Sequence, residues 1–294
     1  MLCRCTLPYP LLTLVLSITL VNASCGGKAT GTSPGELRCH TSEDLCSQRF
    51  DDVTFAMTHN GMSSEDDEFL GPNHIYGIET QLEDGVRGFM LDVYDYLDTL
   101  TLCHSNCEIG SRPLSSVLEV YRAFLEDNPR DFIVIIFESY VPGSELALGF
   151  RDAGLEPFAY AHDPSLPWPT LQELVDTNKR LVVFTDLSGG DPEWMMPIWD
   201  HAWETPWSIK EASEFTCEAT GRGNTANRLF IFNHFITNPI ALPSFAEEIN
   251  QYDFLLERAQ TCEQSSSDTI NFINVDFYSI GGTLEVERAL NTVQ

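Results

Sequence analysis

Three continuously apolar runs constrain the fold of this chain more than any other feature. They span residues 134–137, 181–184 and 229–232, and each consists of β-branched, leucine or aromatic residues. Strands with this pattern are buried on both faces, as in parallel sheets. Between such runs lies a helical pattern at residues 113–128, with apolar residues three and four positions apart. Alternation of this kind predicts an α/β fold.

Eight strand candidates are spread along the chain, the fifth of them weak. They lie at residues 53–58, 87–93, 99–103, 132–137, 157–160, 180–185, 229–233 and 272–277. Further helices are expected at residues 170–177, 245–259 with a break near Asn250, and 284–290. Eight strand–helix units predict a single-domain TIM-type (β/α)8 barrel. An open, doubly wound sheet is the alternative, but no Gly-rich phosphate loop follows the first strand, and Gly221-Arg222-Gly223 is interpreted as a turn.

The N-terminus resembles an export signal. Residues 1–23 combine a basic start, an apolar stretch and small residues before the predicted cleavage at Ala23. Residues 24–45 are predicted to form a flexible tether and lead-in segment, and residues 46–294 the barrel domain. Cys25, just after the signal, is compatible with a lipid-anchored protein at the cell envelope as well as with a freely secreted one.

The remaining cysteines support export. Cys39 with Cys46, Cys103 with Cys107, and Cys217 with Cys262 are plausible disulfide pairs, although spacing alone does not prove connectivity.

The formal net charge of -28 excludes some functions. Nucleic-acid binding depends on basic residues that neutralise phosphates, and this chain has only 16 Lys and Arg against 44 Asp and Glu. Broad attraction to anionic membranes is disfavoured for the same reason. We expect a soluble monomer with at most peripheral membrane contact.

Polar residues cluster where the predicted strands end. They are His59, Asn60, Asp92, His104, Glu138, Asp186, Asn233, His234 and Asp276. In a barrel of this type, the carboxyl ends of the strands form the rim that holds active sites. The two histidines at residues 59 and 104 would place a proton acceptor and a proton donor around one reacting group.

The carboxylates and the amide at this rim indicate a cation site. Asn60, Asp92 and Glu138 offer hard oxygen ligands, which suit Ca²⁺ or Mg²⁺ and suit Zn²⁺ poorly. Asp276 would orient a histidine through its second ring nitrogen.

Several motifs in order along the chain carry a family resemblance. They are Thr58-His59-Asn60, residues 85–92, Cys103-His104-Ser105, Phe137-Glu138-Ser139 and Val275-Asp276-Phe277. Together they resemble the X-domain of phosphatidylinositol-specific phospholipase C, in particular secreted PLC-like phosphodiesterases. The likeness runs from about residue 46 to the C-terminus.

The resemblance implies a TIM-type barrel and a phosphodiester substrate such as a phosphoinositide-type lipid. By position, His59 and His104 match the two catalytic histidines, Asp276 the carboxylate partner of the first, and Asn60, Asp92 and Glu138 the Ca²⁺ ligands of metal-dependent members. In the implied reaction His59 is the base and His104 the acid. Arg87, Asp186, Asn233 and His234 are predicted to contact the substrate.

This chain departs from the family pattern on its second predicted strand. Met90 occupies a position that is acidic in metal-dependent relatives, and Asp92 occupies the position where metal-free bacterial relatives carry an arginine.

A glycerophosphodiester phosphodiesterase or sphingomyelinase-D-like enzyme would also be a barrel with His and acidic residues, but His59-Asn60-Gly61 lacks their usual His-Arg-Gly. A non-catalytic lipid- or glycan-binding barrel is the second alternative, which Met90 favours and the histidine pair opposes.

Overall fold

The computed structural model describes residues 37–187 and 192–292, which contain ten strands and seven helices. The strands are β1 (Phe55–Thr58), β2 (Gly88–Tyr96), β3 (Thr99–Leu102), β4 (Arg112–Pro113), β5 (Ile133–Ser139), β6 (Leu181–Thr185), β7 (Met195–Pro197), β8 (Ala202–Glu204), β9 (Leu229–His234) and β10 (Phe272–Val275). The helices are α1 (Ile78–Asp84), α2 (Leu114–Asp127), α3 (Gly143–Asp152), α4 (Leu171–Asp176), α5 (Pro243–Ile249), α6 (Tyr252–Ser266) and α7 (Thr283–Leu290). The predicted signal peptide and Cys25 lie outside the described residues.

Eight of the strands form one curled parallel sheet in the order β7-β6-β5-β2-β1-β10-β9-β8. The chain moves outward from β1 to β7, continues at the opposite end with β8, and returns inward to β10 beside β1. A doubly wound sheet would start both halves at its centre, so that alternative is wrong. Residues 198–201, which join β7 to β8, are too few to cross a flat sheet. The sheet therefore curls into the predicted TIM-type barrel, with no pairing between β7 and β8 in the described residues.

Two of the predicted barrel strands are wrong. Residues 99–102 form β3, which pairs antiparallel with β2 and β4 and so stands outside the parallel ring. Residues 157–160 contain a 3₁₀ turn and a single bridge from Ala159 to Leu181. The ring is completed instead by β7 and β8, which are three residues long each and too short to show a periodic pattern.

Strand β5 illustrates why the apolar runs fold as they do. Ile133, Ile135 and Phe137 pack in the cluster that includes the helices, whereas Val134 and Ile136 pack in the barrel interior. Successive side chains of a strand point to opposite faces. Because both faces are covered, every position of the run is apolar, and the neighbouring parallel strand β6 follows the same rule at residues 181–184.

The predicted helices are present, with different ends. The break near Asn250 separates α5 from α6, and α6 continues to Ser266. Two helices, α1 and α3, have no counterpart in the sequence prediction. No helix in the described ranges is long and apolar enough to cross a membrane.

All three predicted disulfides are present, joining Cys39 to Cys46, Cys103 to Cys107 and Cys217 to Cys262. The Cys39–Cys46 loop lies beside Arg130, in the link between α2 and β5. Leu45 from the lead-in segment is buried in the barrel interior cluster, together with Phe50 just after it. The lead-in segment therefore packs at the amino ends of the strands, opposite the rim that carries the polar residues.

Candidate active site

A cavity of about 390 Å³ opens at the carboxyl ends of the barrel strands. Seven of the ten residues predicted for the site line it, namely His59, Asn60, Asp92, His104, Glu138, Asp186 and Asn233. Asp276 lies behind His59 and contacts it. The strands carry these side chains to one place because the carboxyl ends of a parallel barrel face the same side.

His59 follows β1 and is fixed on three sides. Its Nδ1 donates a hydrogen bond to Asp276 Oδ1 at 3.0 Å, because the carboxylate has no hydrogen to donate. Its Nε2 therefore carries the lone pair and accepts a hydrogen bond from Asn60 Nδ2 at 3.2 Å. The ring also stacks on Phe235, with centroids 3.8 Å apart. The basic nitrogen of His59 is thus held toward the cavity.

A second layer of residues holds Asp276 and the His59 backbone. Asn73 Nδ2 donates to Asp276 Oδ1 at 2.8 Å, and His74 Nε2 donates to the His59 carbonyl oxygen at 2.8 Å. Burial lowers the pKa of His74 to about 4, so this ring is neutral at physiological pH. Sequence reasoning missed Asn73, which lies in a loop and meets Asp276 only through the fold.

His104 reaches the cavity from the β2–β3 hairpin rather than from a barrel strand. It lies two residues beyond the end of β3, on an exposed loop that the Cys103–Cys107 disulfide closes. Burial at the cavity mouth and the neighbouring His59 lower the pKa of His104, while Asp276 and Glu138 oppose that shift. The two histidines therefore differ in environment, since only His59 has a carboxylate partner in direct contact.

The opposite wall is acidic. Asp92 on β2 is paired in register with Glu138 on β5, and Ser139 N donates to Asp186 Oδ1 at 2.9 Å. Burial, together with repulsion from Glu138 and Asp186, raises the pKa of Asp92 well above its usual range. Crowded carboxylates of this kind would be stabilised by a positive charge placed among them.

Two tyrosines that the sequence analysis missed cover this acidic wall. Tyr94 and Tyr140 line the cavity, and their rings stack with centroids 4.2 Å apart. The Tyr140 hydroxyl donates to Glu138 Oε1. Tyr94 lies two positions beyond Asp92 on β2, and Tyr140 lies two positions beyond Glu138, directly after the end of β5, so the period of two in a strand would have indicated both.

The oxygen donors at this wall fit a hard divalent cation in chemical type. Asn60, Asp92 and Glu138 all line the cavity and offer amide or carboxylate oxygens. Met90, also in the lining, offers only a thioether. Within residues 37–187 and 192–292, no three His, Cys, Asp or Glu side chains are grouped closely enough to hold a metal ion.

A third wall contains an ion pair that the sequence did not indicate. The Arg222 guanidinium bonds to both carboxylate oxygens of Glu204, and Asn233 Nδ2 donates to Glu204 Oε2 at 2.9 Å. Residues 221 and 222 form a bend, and Gly223 makes an isolated antiparallel bridge with Trp203. A Cβ on Gly223 would lie 1.9 Å from a backbone oxygen, so a glycine is required for this segment to carry Arg222 to the cavity.

Two residues predicted to contact substrate do not lie at the cavity. Arg87 precedes β2 at the amino end of the barrel, where its guanidinium makes a bidentate ion pair with Asp131 at 2.7 and 2.8 Å. His234, the last residue of β9, is buried on the face of the strand that points away from the cavity, where Arg258 Nη1 lies 2.9 Å from its Nδ1. Arg87 cannot reach the rim, because it precedes β2 whereas the rim is formed by the carboxyl ends of the strands. Side-chain alternation turns His234 away, because Asn233 before it faces inward.

The profile of the PI-PLC X family, described as PI-PLC X 1, matches residues 45–291. A PI-PLC X domain-containing protein of Arabidopsis thaliana is 30% identical over 268 residues, which cover 82% of this chain and 62% of that protein. An uncharacterized secreted protein of Arthroderma benhamiae is 24% identical, covering 94% of this chain and 71% of that protein. The chain thus spans less than two thirds of the Arabidopsis relative.

Solved structures agree with the fold. The phosphatidylinositol-specific phospholipase C from Listeria monocytogenes superposes with a TM-score of 0.60 at 16% identity, covering 84% of this chain and 96% of that one. A mutant of the corresponding enzyme from Staphylococcus aureus gives a TM-score of 0.59 at 13% identity, covering 85% of this chain and 94% of that one. At such identities the likeness concerns the barrel architecture alone.

Proposed function

The chain belongs to the PI-PLC X domain family, and from this premise we propose that it is a phosphodiesterase that cleaves a phosphoinositide-type lipid or a related diester. One observation supports the proposal most. His59, oriented by Asp276, lines the same cavity as His104, so that a proton acceptor and a proton donor face one space.

The proposed first step is an internal transfer at phosphorus. His59 Nε2 takes the proton from a substrate hydroxyl adjacent to the phosphodiester, and that oxygen attacks phosphorus. His104 gives its proton to the leaving alcohol oxygen as the bond from phosphorus to that oxygen breaks. Acid–base help of this kind contributes roughly 10²–10⁴-fold to a rate. The cyclic diester is then opened by water, with the two histidines exchanging roles.

Asp276 stabilises the charge that this step creates on His59. When Nε2 takes up a proton, the ring becomes an imidazolium whose Nδ1–H still faces the carboxylate. Asn73 holds the same carboxylate oxygen and limits its rotation. Asp276, held by Asn73, therefore keeps the His59 ring in one tautomer before the reaction and stabilises its positively charged form afterwards.

We propose that Asn60, Asp92 and Glu138 would hold a divalent cation, with Ca²⁺ favoured over Mg²⁺. A bound cation would stabilise the negative charge that develops on the phosphoryl oxygens. The crowding that raises the pKa of Asp92 supports this assignment, since repulsion among carboxylates is what a cation relieves.

The cavity lining indicates which residues would bind the substrate. Asp186 and Asn233 line the cavity and are proposed to bind the head group. Because the chain has only three lysines to bind additional phosphates, a polyphosphorylated head group is disfavoured.

A structure that concerns membrane binding of the Staphylococcus aureus enzyme shares the fold, which supports peripheral contact with lipid. The disulfides and a secreted relative support export, with the protein either secreted or lipid-anchored, and we propose that it acts as a monomer.

The decisive experiment measures hydrolysis of phosphatidylinositol vesicles with added Ca²⁺ and with a chelator. We expect turnover in wild type, loss of at least about a hundredfold in His59→Ala and His104→Ala, and no change in His201→Asn, a histidine outside the cavity lining. Unchanged turnover in either active-site variant would refute the mechanism.

A non-catalytic lipid-binding barrel is the second candidate, which Met90 in the cavity lining favours. It predicts vesicle binding without turnover of any diester. Turnover of glycerophosphodiesters or sphingomyelin instead of phosphatidylinositol would favour the other enzymatic alternative.

A further inference from the structure

The two cavity histidines are held in position by different means. The His59 ring has two hydrogen-bonding partners, Asp276 and Asn60, and a stacking partner, Phe235. Across the described part of the chain, the His104 ring makes no hydrogen bond and stacks on no other ring, and it is solvent-exposed. The position of its imidazole therefore depends on the backbone that carries it.

That backbone leaves the sheet directly before His104. The antiparallel ladder ends where Leu102 pairs with Val93 and Arg112, and Cys103 N makes one longer bond to Asp92 O at 3.4 Å. Beyond Cys103, residues 104–106 are exposed, and Ser105 has a left-handed backbone with φ of 57°. Without a further restraint, a segment of this kind samples many conformations.

Within residues 103–107 the loop is held by local hydrogen bonds, by one contact of the Ser105 backbone with the Tyr94 side chain, and by one covalent bond. Asn106 N donates to the His104 carbonyl oxygen at 2.7 Å, and the Asn106 side chain accepts from Glu108 N at 3.0 Å. The Cys103–Cys107 disulfide closes the loop and ties it to Cys103, which is buried at the end of the hairpin. His104 thus lies inside a five-residue covalent ring, anchored at its buried end.

We propose that the Cys103–Cys107 disulfide is a positioning element that holds the His104 imidazole over the reacting phosphodiester. The inference rests on the proposed function, since it takes His104 as the general acid. A proton donor acts only while it is near the leaving oxygen, so a mobile loop lowers the fraction of time in which the acid is in place. Loss of the ring should therefore lower kcat more than it raises KM.

The chain supplies a matched control. Cys39–Cys46 also closes a short loop, with a sequence separation of 7 against 4 for Cys103–Cys107, and it lies at the amino end of the barrel. The chain-entropy contribution of a disulfide depends weakly on loop length, so the two should contribute similarly to stability. A role in stability alone would give both double variants similar losses of Tm and of activity.

The test compares Cys103→Ser/Cys107→Ser with Cys39→Ser/Cys46→Ser in the full chain, with phosphatidylinositol vesicles as substrate. We expect similar decreases in Tm, but a decrease in kcat of at least about tenfold only in the first variant, with KM within about twofold of wild type. The alkaline limb of its pH–rate profile should also move upward, because His104 leaves the cavity mouth, where desolvation and the neighbouring His59 lower its pKa. Equal kcat in a folded Cys103→Ser/Cys107→Ser variant would overturn the proposal.

A second readout does not need turnover. Relaxation of the His104 ring carbon, assigned by comparison with His104→Gln, should show a rigid ring in wild type and in the Cys39→Ser/Cys46→Ser control. It should show a mobile ring without the Cys103–Cys107 bond, whereas an equally rigid ring would refute the inference. If wild type hydrolyses no diester, the proposed function fails while this measurement still decides whether the disulfide positions His104. If serine at buried Cys103 prevents folding, Cys103→Ala/Cys107→Ala replaces it.

Discussion

Asp276 accepts a hydrogen bond from His59 Nδ1 at 3.0 Å and so leaves His59 Nε2 as the basic nitrogen that faces the cavity. The two residues are 217 positions apart in the chain and meet because β1 and β10 are neighbours in the barrel. The parallel pairing of the last strand, β10, with the first, β1, is therefore what assembles the proposed base.

Replacing Asp276 by asparagine should remove the negative charge while keeping the shape of the side chain. We expect kcat to fall by roughly 10²–10⁴-fold, because the imidazolium formed on His59 loses its counter-charge and its tautomer is no longer enforced. Steady-state kinetics measure the effect, and Tm should change little. A kcat within threefold of wild type would show that His59 works without Asp276.

The pH dependence of kcat/KM should show the state of His104. A general acid must be protonated, so activity is present below its pKa and is lost as the pH rises through that value. Burial and His59 lower the pKa of His104, so the alkaline limb of the profile should lie below the ordinary histidine value of about 6.5. The alkaline limb should be absent from the pH profile of the residual activity of the His104→Ala variant. A limb above pH 7 in wild type would contradict this assignment.

The sequence predicted those parts of the site that follow long strands. Apolar runs identify β5, β6 and β9, and the polar residue after each run marks the rim. The sequence could not say which of two consecutive polar residues faces inward, so both Asn233 and His234 were predicted and only Asn233 lines the cavity.

Other parts of the site depend on contacts that no local pattern encodes. Glu204 ends a three-residue strand, and Arg222 reaches it from a loop 18 positions later. Asn73 meets Asp276 across 203 positions. His104 looked like the end of a barrel strand because residues 99–102 are a true strand, but pairing with β2 and β4 turns that strand out of the ring.

Met90→Asp should strengthen the proposed cation site. Met90 and Asp92 lie on the same face of β2, two positions apart, so a carboxylate at residue 90 would add a hard oxygen ligand beside Asp92. We expect Ca²⁺ affinity to rise by about tenfold or more, seen as a larger Ca²⁺-dependent increase in Tm. In the presence of chelator the same variant should be less stable than wild type, because another carboxylate joins a crowded group.

Met90→Leu is the matched control, since it conserves volume and adds no ligand. Its response of Tm to Ca²⁺ should equal that of wild type. If Met90→Asp responds like Met90→Leu, the cation does not bind at the wall formed by Asp92 and Glu138.

A buried charge network at the amino end of the barrel should make stability depend on pH. His40 Nε2 lies 2.8 Å from Glu287 Oε1, and Asp131 pairs with Arg87 beside it. Burial alone would lower the pKa of His40, but attraction to Glu287 and hydrogen bonds with Asp131 and Glu287 outweigh it, so the pKa is raised. Burial would raise the pKa of Asp131, but its bonds to Arg87 and His40 hold the pKa well below its usual range.

The signs of these two shifts define a window. The contribution of His40 is complete below its unfolded pKa of about 6.5 and is lost as the pH rises through its higher folded pKa. The contribution of Asp131 is complete above about pH 4 and is lost as the pH falls through its lower folded pKa. The network therefore stabilises the fold most between about pH 4 and 6.5.

His40→Gln isolates this effect from the other titrating groups. Breaking a buried ion pair by removing one partner costs about 3–5 kcal/mol, so the variant should lose roughly that much free energy of unfolding at pH 5. The difference between wild type and variant should shrink from pH 5 toward pH 9, because the His40 ring loses its charge as the pH rises through its raised folded pKa. Urea unfolding at the two pH values measures it. A difference that stays constant from pH 5 to pH 9 would mean that His40 stabilises the lead-in segment by packing, independently of its charge.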